Sequence, residues 1–266
     1  MSPIKNDDLL NVAVEAGLAA SNIIMEALGE PRIANYKSKT DLVTVTDHQS
    51  ENTIKSIISS YFADHNFLAE ESGKDSTGSE YLWIIDPLDG TTNFVHGYPS
   101  FAVSIGLFYK NEPLVAVVVE MPHTKLYSAV KSEGAWCEGR SITCSETFSV
   151  EKSLLITGFG YEHGDLWEQN MTLFKHFTNT TQGVRRLGAA AVDICHVASG
   201  QADGFWEYDL KPWDTAAGFL IAKEAGCVIS NMAGNQYSIY DNNILIANPH
   251  IHKKLLNEIK SIRTDL

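Results

Sequence analysis

Between residues 7 and 28 the apolar residues Leu9, Leu10, Val12, Ala13, Ala16, Ala20, Ile23, Ile24 and Ala27 recur at the spacing of one helix face, and Gly29 and Pro31 end the pattern. A short extended segment, 41–46, runs into Asp47, and Ile54, Ile57, Ile58, Tyr61 and Phe62 then predict a second helix that begins near that acid. Two helices are therefore expected before any sheet. After Glu70 and Glu71, residues 72–80 read as a loop, and the β-branched and aromatic stretches 81–85, 101–109, 113–121 and 125–130 read as an antiparallel meander. The remaining chain alternates: strands at 154–157, 183–187, 204–208 and 244–247, helices at 166–177, 190–198 and 214–225, and a last helix from His252. This is an α+β chain in two halves, 1–145 and 146–266, divided in a polar stretch around 140–152, with no internal repeat.

At 266 residues the chain is long enough for a substantial core, and 44% hydrophobic with 20% charged residues is ordinary for a folded protein. Asp and Glu outnumber Lys and Arg by 33 to 20, a formal net charge of -13. Broad binding to nucleic acid or to an anionic membrane needs basic surface, so neither is expected as a partner. The surplus carboxylates serve solubility or hold metal. The cysteines Cys137, Cys144, Cys195 and Cys227 form no CxxC or zinc-finger spacing and read as reduced thiols of a cytoplasmic protein. The opening MSPIKNDDLL lacks the basic-then-apolar order of a secretory leader, and no apolar run reaches the roughly 18 residues of a membrane span.

The most informative stretch is WIIDPLDGTTNF, residues 83–94. An apolar strand is expected to end at Asp86, where Pro87 interrupts its ladder, and Asp89 follows three residues on before Gly90, Thr91 and Thr92. Two acids leaving a sheet edge together repel unless a cation neutralises them, and hard divalent cations prefer carboxylate and carbonyl oxygens; the Leu88 carbonyl lies between the two. The Gly-Thr-Thr that follows offers amides and the close approach that a phosphate needs. In KPWDTAAGFLIAKEAG, residues 211–226, Asp214 is placed at a helix N-cap, where it caps the backbone or faces a cation. Glu207 in WEYDLKPWD, read from its aromatic neighbours alone, is a solvent-facing acid. Arg185 and Arg186 approach a phosphate or make surface or dimer contacts. His250 and His252 are a metal pair or incidental at a helix start.

DPLDGTTNF resembles the first signature of the inositol monophosphatase family of Mg²⁺-dependent sugar and polyol phosphatases, and PWDTAAG resembles the second. NFLAEESG, residues 66–73, and KSKTDLVTVTD, residues 37–47, match two further family stretches, so the resemblance spans essentially the whole chain. The block from Arg185 through WEYDLKPWD looks most like the plant-plastid and cyanobacterial branch. One departure stands out: where the family commonly has Gly-Ser or Gly-Thr before Ala-Ala, this chain has Gly188, Ala189 and Ala190, so a hydroxyl contact at Ala189 is lost and a backbone contact at Ala190 is expected to remain.

The resemblance implies an αβαβα layered sandwich, usually a homodimer, acting in the cytoplasm or, in a plant, in the plastid stroma. It implies two or three Mg²⁺ ions: one held by Glu70, Asp86 and the Leu88 carbonyl, a second by Asp86, Asp89 and Asp214, a weaker third by Glu70 and waters. Thr91, with Asp47 behind it, and Glu70 would orient and deprotonate the attacking water. Asp89, Gly90, Thr91, Gly188, Ala189, Ala190, Glu207 and Asp214 would contact a small phosphate monoester. The expected reaction is hydrolysis of myo-inositol 1-phosphate. Histidinol phosphate, fructose 1,6-bisphosphate and a 3′-phosphoadenosine nucleotide are sibling substrates, and a non-catalytic regulatory binding protein is the alternative from another class.

Overall fold

The spacing of apolar residues near the N-terminus produces helix α1 (Asn6–Leu28), which buries Leu9, Val12, Ala13, Ala16, Ala20 and Ile24 along one stripe. The computed structural model describes residues 5–30, 34–36, 42–160 and 163–263; Pro31, Lys37 and Asp41 lie outside the described residues. Gly17 lets α1 lie close against the sheet beneath it, since a Cβ there would sit 3.2 Å from Val119 and 3.3 Å from Val117. Contrary to the expectation that no such run exists, α1 is long and apolar enough to cross a membrane by length and composition. Its apolar stripe is instead part of the core, packed on the first sheet.

A two-stranded antiparallel ribbon, β1 (Ala34–Tyr36) with β2 (Leu42–Thr44), precedes α2 (Val45–Tyr61). The expectations of two helices before any sheet and of an extended segment reaching Thr46 therefore give way. Val43, Thr44, Val45 and Thr46 look like strand because they are β-branched, yet Thr44 and Asp47 form a capping box that starts the helix at Val45.

The first sheet is built from β3 (Asn66–Ala69), β4 (Gly73–Asp75), β5 (Tyr81–Asp89), then, after the short helix α3 (Thr91–His96), β6 (Phe101–Tyr109), β7 (Glu112–Met121), β8 (Lys125–Val130), β9 (Gly134–Cys137) and β10 (Arg140–Ser141). Its spatial order is β10-β9-β8-β7-β6-β5-β3-β4, antiparallel except where β3 runs parallel to β5. Three residues of the stretch read as a loop, 73–75, extend its edge as β4.

The second half supplies β11 (Leu154–Thr157), α4 (Asp165–Thr180), β12 (Gly183–Arg185), α5 (Ala190–Ala198), β13 (Gly204–Tyr208), α6 (Pro212–Glu224), β14 (Val228–Ser230), β15 (Asn243–Ala247) and α7 (His252–Arg263). The order β12-β11-β13-β15-β14 is mixed: β11 is parallel to both neighbours, while β15 is antiparallel to β13 and β14.

Three apolar clusters define five layers, αβαβα. Leu9, Ile24, Ile54 and Ile58 of α1 and α2 pack on Trp83, Ile105 and Val117 of the first sheet. The opposite face of that sheet, with Ile84 and Val118, shares a core with Ile194 of α5, Leu220 of α6 and Phe205 and Ile246 of the second sheet. Phe177 of α4 and Leu255 of α7 close the outer side over Trp206 and Leu245. Each fully buried Ile, Leu or Phe contributes about 1.5–3 kcal/mol. The central helix pair sits tightly because Gly218 of α6 faces Ile194 at 2.9 Å from a would-be Cβ, and Gly106 of β6 does the same for Ala216 at 3.1 Å.

Candidate active site

Asp86 and Asp89 leave β5 on one side for a specific reason. Side chains three apart on a regular strand point to opposite faces. Here Asp86 pairs with Ser104 and Asp89 with Ala102, three steps on β5 against two on β6, so a β-bulge inserts one extra residue and returns Asp89 to the side of Asp86. The strand thus continues through Pro87 instead of ending at Asp86, and the proline is tolerated because the ladder is already irregular there. Helix α2 fixes the bulge: Ser50 Oγ donates to the Pro87 carbonyl at 2.7 Å.

Glu70 follows β3, which runs beside β5 with Ala69 opposite Ile85, so the chain delivers Glu70 next to Asp86; its amide donates to the Ile85 carbonyl at 3.2 Å. The turn after it is held by buried Glu51 of α2, which accepts from the amides of Glu71 at 2.9 Å and Ser72 at 3.1 Å. Asp214 arrives from α6. It is the third residue of that helix, not the N-cap expected, because Pro212 occupies the first position and Lys211 the cap; its Oδ2 accepts from the Lys211 amide at 2.6 Å.

These four acids line one cavity of about 350 Å³ together with Leu88, Gly90, Thr91, Gly188, Ala190 and Glu207. Thr91 opens α3 beneath Gly90, which is in the left-handed region at φ 86°. The Thr91 hydroxyl lies 2.9 Å from Asp47 Oδ1, to which it donates, and 3.0 Å from the Leu88 carbonyl. Asp47 stands behind Thr91, fully buried, and its other oxygen accepts from the Thr44 amide at 2.9 Å and hydroxyl at 2.6 Å. One carboxylate thus caps α2 and orients Thr91.

Burial and mutual repulsion push the acids toward their protonated forms. Asp86 is raised well above the usual carboxylate range by burial, then by Glu70, Asp89 and Asp214. Asp214 is raised by burial against the opposing pull of the Lys211 amide. Asp89 is raised to about 7 by burial, an effect that the amides of α5 reduce. Such crowding is what a hard divalent cation relieves, and carboxylates plus the Leu88 carbonyl are its preferred donors. Among the described residues no three acidic, histidine or cysteine side chains already form a closed cage. Each of the three aspartates has its own tether: Asp86 accepts from the Leu88 amide at 3.0 Å, Asp89 from helix α5, Asp214 from Lys211. The donor chemistry fits the cation.

The substrate side differs from expectation at two positions. The Ala190 amide, expected to face the substrate, donates to Asp89 Oδ1 at 3.1 Å, and the Ala191 amide to Oδ2 at 2.7 Å, so the start of α5 holds an acid of the site. Ala189 does not line the cavity; it is 1% exposed, with its Cβ turned against Gly90. Glu207 is buried, not solvent-facing, and its carboxylate lies so close over Gly158 that a Cβ there would overlap it. Among the further residues that line the cavity are Gly158 and Asp193, which had not been singled out, and Arg186, whose approach to a phosphate was one of two expectations. Asn93 secures the rim by donating to the Leu187 carbonyl at 2.8 Å. His252 is buried against Ser230 at 3.1 Å, away from the cavity, and no cysteine lines it.

A bulged strand and three flanking elements thus converge on a carboxylate-lined cavity at the junction of two sheets, an arrangement suited to cation-assisted chemistry on an anionic substrate. The inositol monophosphatase family model matches residues 5–264, and the chain belongs to that family of phosphatases, which generally use Mg²⁺. The chain is 51% identical over 258 residues to the chloroplastic phosphatase IMPL1 of Arabidopsis thaliana, covering 94% of this chain and 70% of that protein. It is 42% identical over 256 residues to the inositol-1-monophosphatase of a Synechocystis strain, covering 96% and 89%. Among solved structures, the extragenic suppressor protein suhB of Bartonella henselae superposes with a TM-score of 0.91 at 33% identity, covering 95% and 98% of the two chains.

Proposed function

We propose that the protein hydrolyses the phosphate monoester of a small polyol, myo-inositol 1-phosphate above all, with two or three Mg²⁺ ions. The observation that carries this reading is the gathering of Glu70, Asp86, Asp89 and Asp214 on one cavity beside the Thr91–Asp47 hydrogen bond. Glu70, Asp86, Asp89, Asp214 and the Leu88 carbonyl would hold the cations. Bound there, they would supply charge to offset that of the phosphate and of the departing alkoxide and would lower the pKa of water.

The chain's own residues supply the rest. Thr91 donates to Asp47, which leaves a hydroxyl lone pair facing the cavity to accept a proton from the attacking water, and Glu70 is the second acceptor. The amides at the start of α3, at Gly90 and Thr91, lie where no carbonyl of the preceding turn can satisfy them, and they suit phosphoryl oxygens. Glu207 takes a hydroxyl of the alcohol part. The inositol-1-monophosphatase name of the Synechocystis relative agrees with this substrate.

The test is phosphate release from myo-inositol 1-phosphate, histidinol phosphate, fructose 1,6-bisphosphate and 3′-phosphoadenosine 5′-phosphate, each with Mg²⁺ and with EDTA. Mg²⁺-dependent release with preference for the inositol ester is expected. Preference for another ester would replace the substrate and keep the chemistry, and release undiminished in EDTA would overturn the cation reading.

A further inference from the structure

Two carboxylates on the cavity have no task in the chemistry above, and one of them, Asp209, is paired with Lys211 Nζ at 2.8 Å. The other, Asp193, is the fourth residue of α5, fully buried between Val192 and Ile194, which are themselves fully buried. It lines the cavity with Glu207, Arg186 and Gly158. Neither of its oxygens has a hydrogen-bond partner among the described residues. Burying a carboxylate without partners is costly, and an apolar side chain would fill this place in an apolar helix at less cost. A donor on something entering the cavity would offset that cost.

The surroundings say what enters. Glu207 lies on the same wall, and that wall is braced: Asn170 donates to the Gly158 carbonyl and accepts from Trp206 Nε1 at 2.7 Å. Burial holds Asp193 well above the usual carboxylate range, with Glu207 and Asp89 adding to the effect and Arg186 opposing it. Glu207 is raised in the same way and is opposed by the same arginine. A cationic ligand would meet the Arg186 guanidinium here, whereas neutral hydroxyls can donate to the acids and accept from the arginine.

We propose that Asp193 is a substrate-binding residue: its carboxyl accepts a hydroxyl of the alcohol part of the ester beside the one taken by Glu207, so that the two acids and Arg186 read a pair of neighbouring hydroxyls. This rests on the phosphomonoester reading above and names the feature of the alcohol that selects it.

The experiment compares wild type, Asp193→Ala and Asp193→Asn with Mg²⁺ on myo-inositol 1-phosphate and on p-nitrophenyl phosphate, whose leaving group carries no aliphatic hydroxyl. Asp193→Ala is expected to lower kcat/KM on the inositol ester about 10- to 100-fold while changing it less than about 2-fold on the aryl ester, with Asp193→Asn in between. Its melting temperature should equal or exceed that of wild type, because an unpartnered buried acid has been removed. The rise in melting temperature on adding myo-inositol 1-phosphate should be present in wild type and lost in Asp193→Ala; this readout needs no turnover, so it separates failure of this inference from failure of the phosphatase reading. Equal losses on both esters with a lowered melting temperature would make the residue structural and overturn the inference. So would unchanged kinetics on both, or a wild-type preference for the ammonium-bearing histidinol phosphate that Asp193→Ala abolishes.

Discussion

Replacing Asp47 by Asn separates the two tasks that its carboxylate performs. Oδ1 accepts from Thr91 at 2.9 Å, and Oδ2 accepts from the Thr44 amide at 2.9 Å and hydroxyl at 2.6 Å, all in a fully buried setting. An asparagine has the same shape but only one accepting oxygen, so either Thr91 or the Thr44 pair faces an NH₂ group. Losing one hydrogen bond to a charged acceptor costs about 1.5–3 kcal/mol, and the donor left buried adds to it, so a loss of about 2–4 kcal/mol is expected. Turnover should fall about 10²–10⁴-fold, the usual worth of a positioned proton acceptor. The control is Thr44→Ala, which removes the hydroxyl of the cap and leaves the Thr91 contact in place: about 1 kcal/mol of stability lost, with kcat within a factor of about 3. Urea unfolding and Mg²⁺-dependent phosphate release measure both. If Thr44→Ala lost as much turnover as Asp47→Asn, or if Asp47→Asn kept wild-type kcat, the assignment of Thr91 and Asp47 to the proton path would be refuted.

Asp89→Asn should abolish phosphate release at saturating Mg²⁺ while the circular dichroism spectrum stays native, since the substitution conserves shape and disturbs only one of the two α5 amide bonds; wild-type turnover would defeat the cation assignment. Gly90→Ala meets both a left-handed φ of 86° and contacts of 3.0 Å to the Ser100 carbonyl and 3.2 Å to Ala189 Cβ, so a loss of about 2–5 kcal/mol in urea unfolding is expected, and a change under about 0.5 kcal/mol would contradict the packing described. The pH dependence follows from Asp89, raised to about 7 in the folded protein from an ordinary 3.8. The folded state holds this proton more tightly than the unfolded chain, so in EDTA stability should fall as pH rises from about 4 to about 7 and level off above, by up to about 4 kcal/mol, and Mg²⁺ should reverse the loss. Stability in EDTA that rose across that window would contradict the crowding of acids.

The α+β order of elements is legible in the sequence because it rests on local periodicity, and Asp86 and Asp89 are legible because they leave one apolar strand together, whereas the five-layer arrangement and the roles of Glu70 and Asp214 are read only from the family resemblance. Helices α1, α4 and α5 follow from apolar spacing, and the DPLDGTT segment presents its acids beside a turn-forming glycine. What is not legible depends on pairing across the chain. Pro87 suggests a strand end, and only the register against β6 reveals a bulge that carries the strand to Asp89. The β-branched run 43–46 suggests strand, and the Thr44–Asp47 box overrides it. The Ala190 amide faces Asp89 because two residues a hundred positions apart meet, which spacing alone does not disclose. Asp193 carried one usable signal, a lone acid inside the apolar run AAAVDICHVA, whereas Arg186 stayed open between a phosphate contact and a surface or dimer contact because nothing local shows that it lies at a cavity.

The cavity has two provenances. Glu70, Asp86, Asp89 and Thr91 are carried by the first sheet and its adjoining turns, whereas Glu207, Asp193 and Gly158 come from the second sheet and the helix above it. On the proposed reading, the residues that hold the cations and those that face the alcohol therefore come mostly from separate stretches of the chain, with Asp214 of α6 as the exception. Changes at Gly158, Asp193 and Glu207 that spare Asp214 and the α5 amides holding Asp89 would retune which alcohol is accepted, and a lineage of such proteins could spread across substrates without reinventing how the ester is cut.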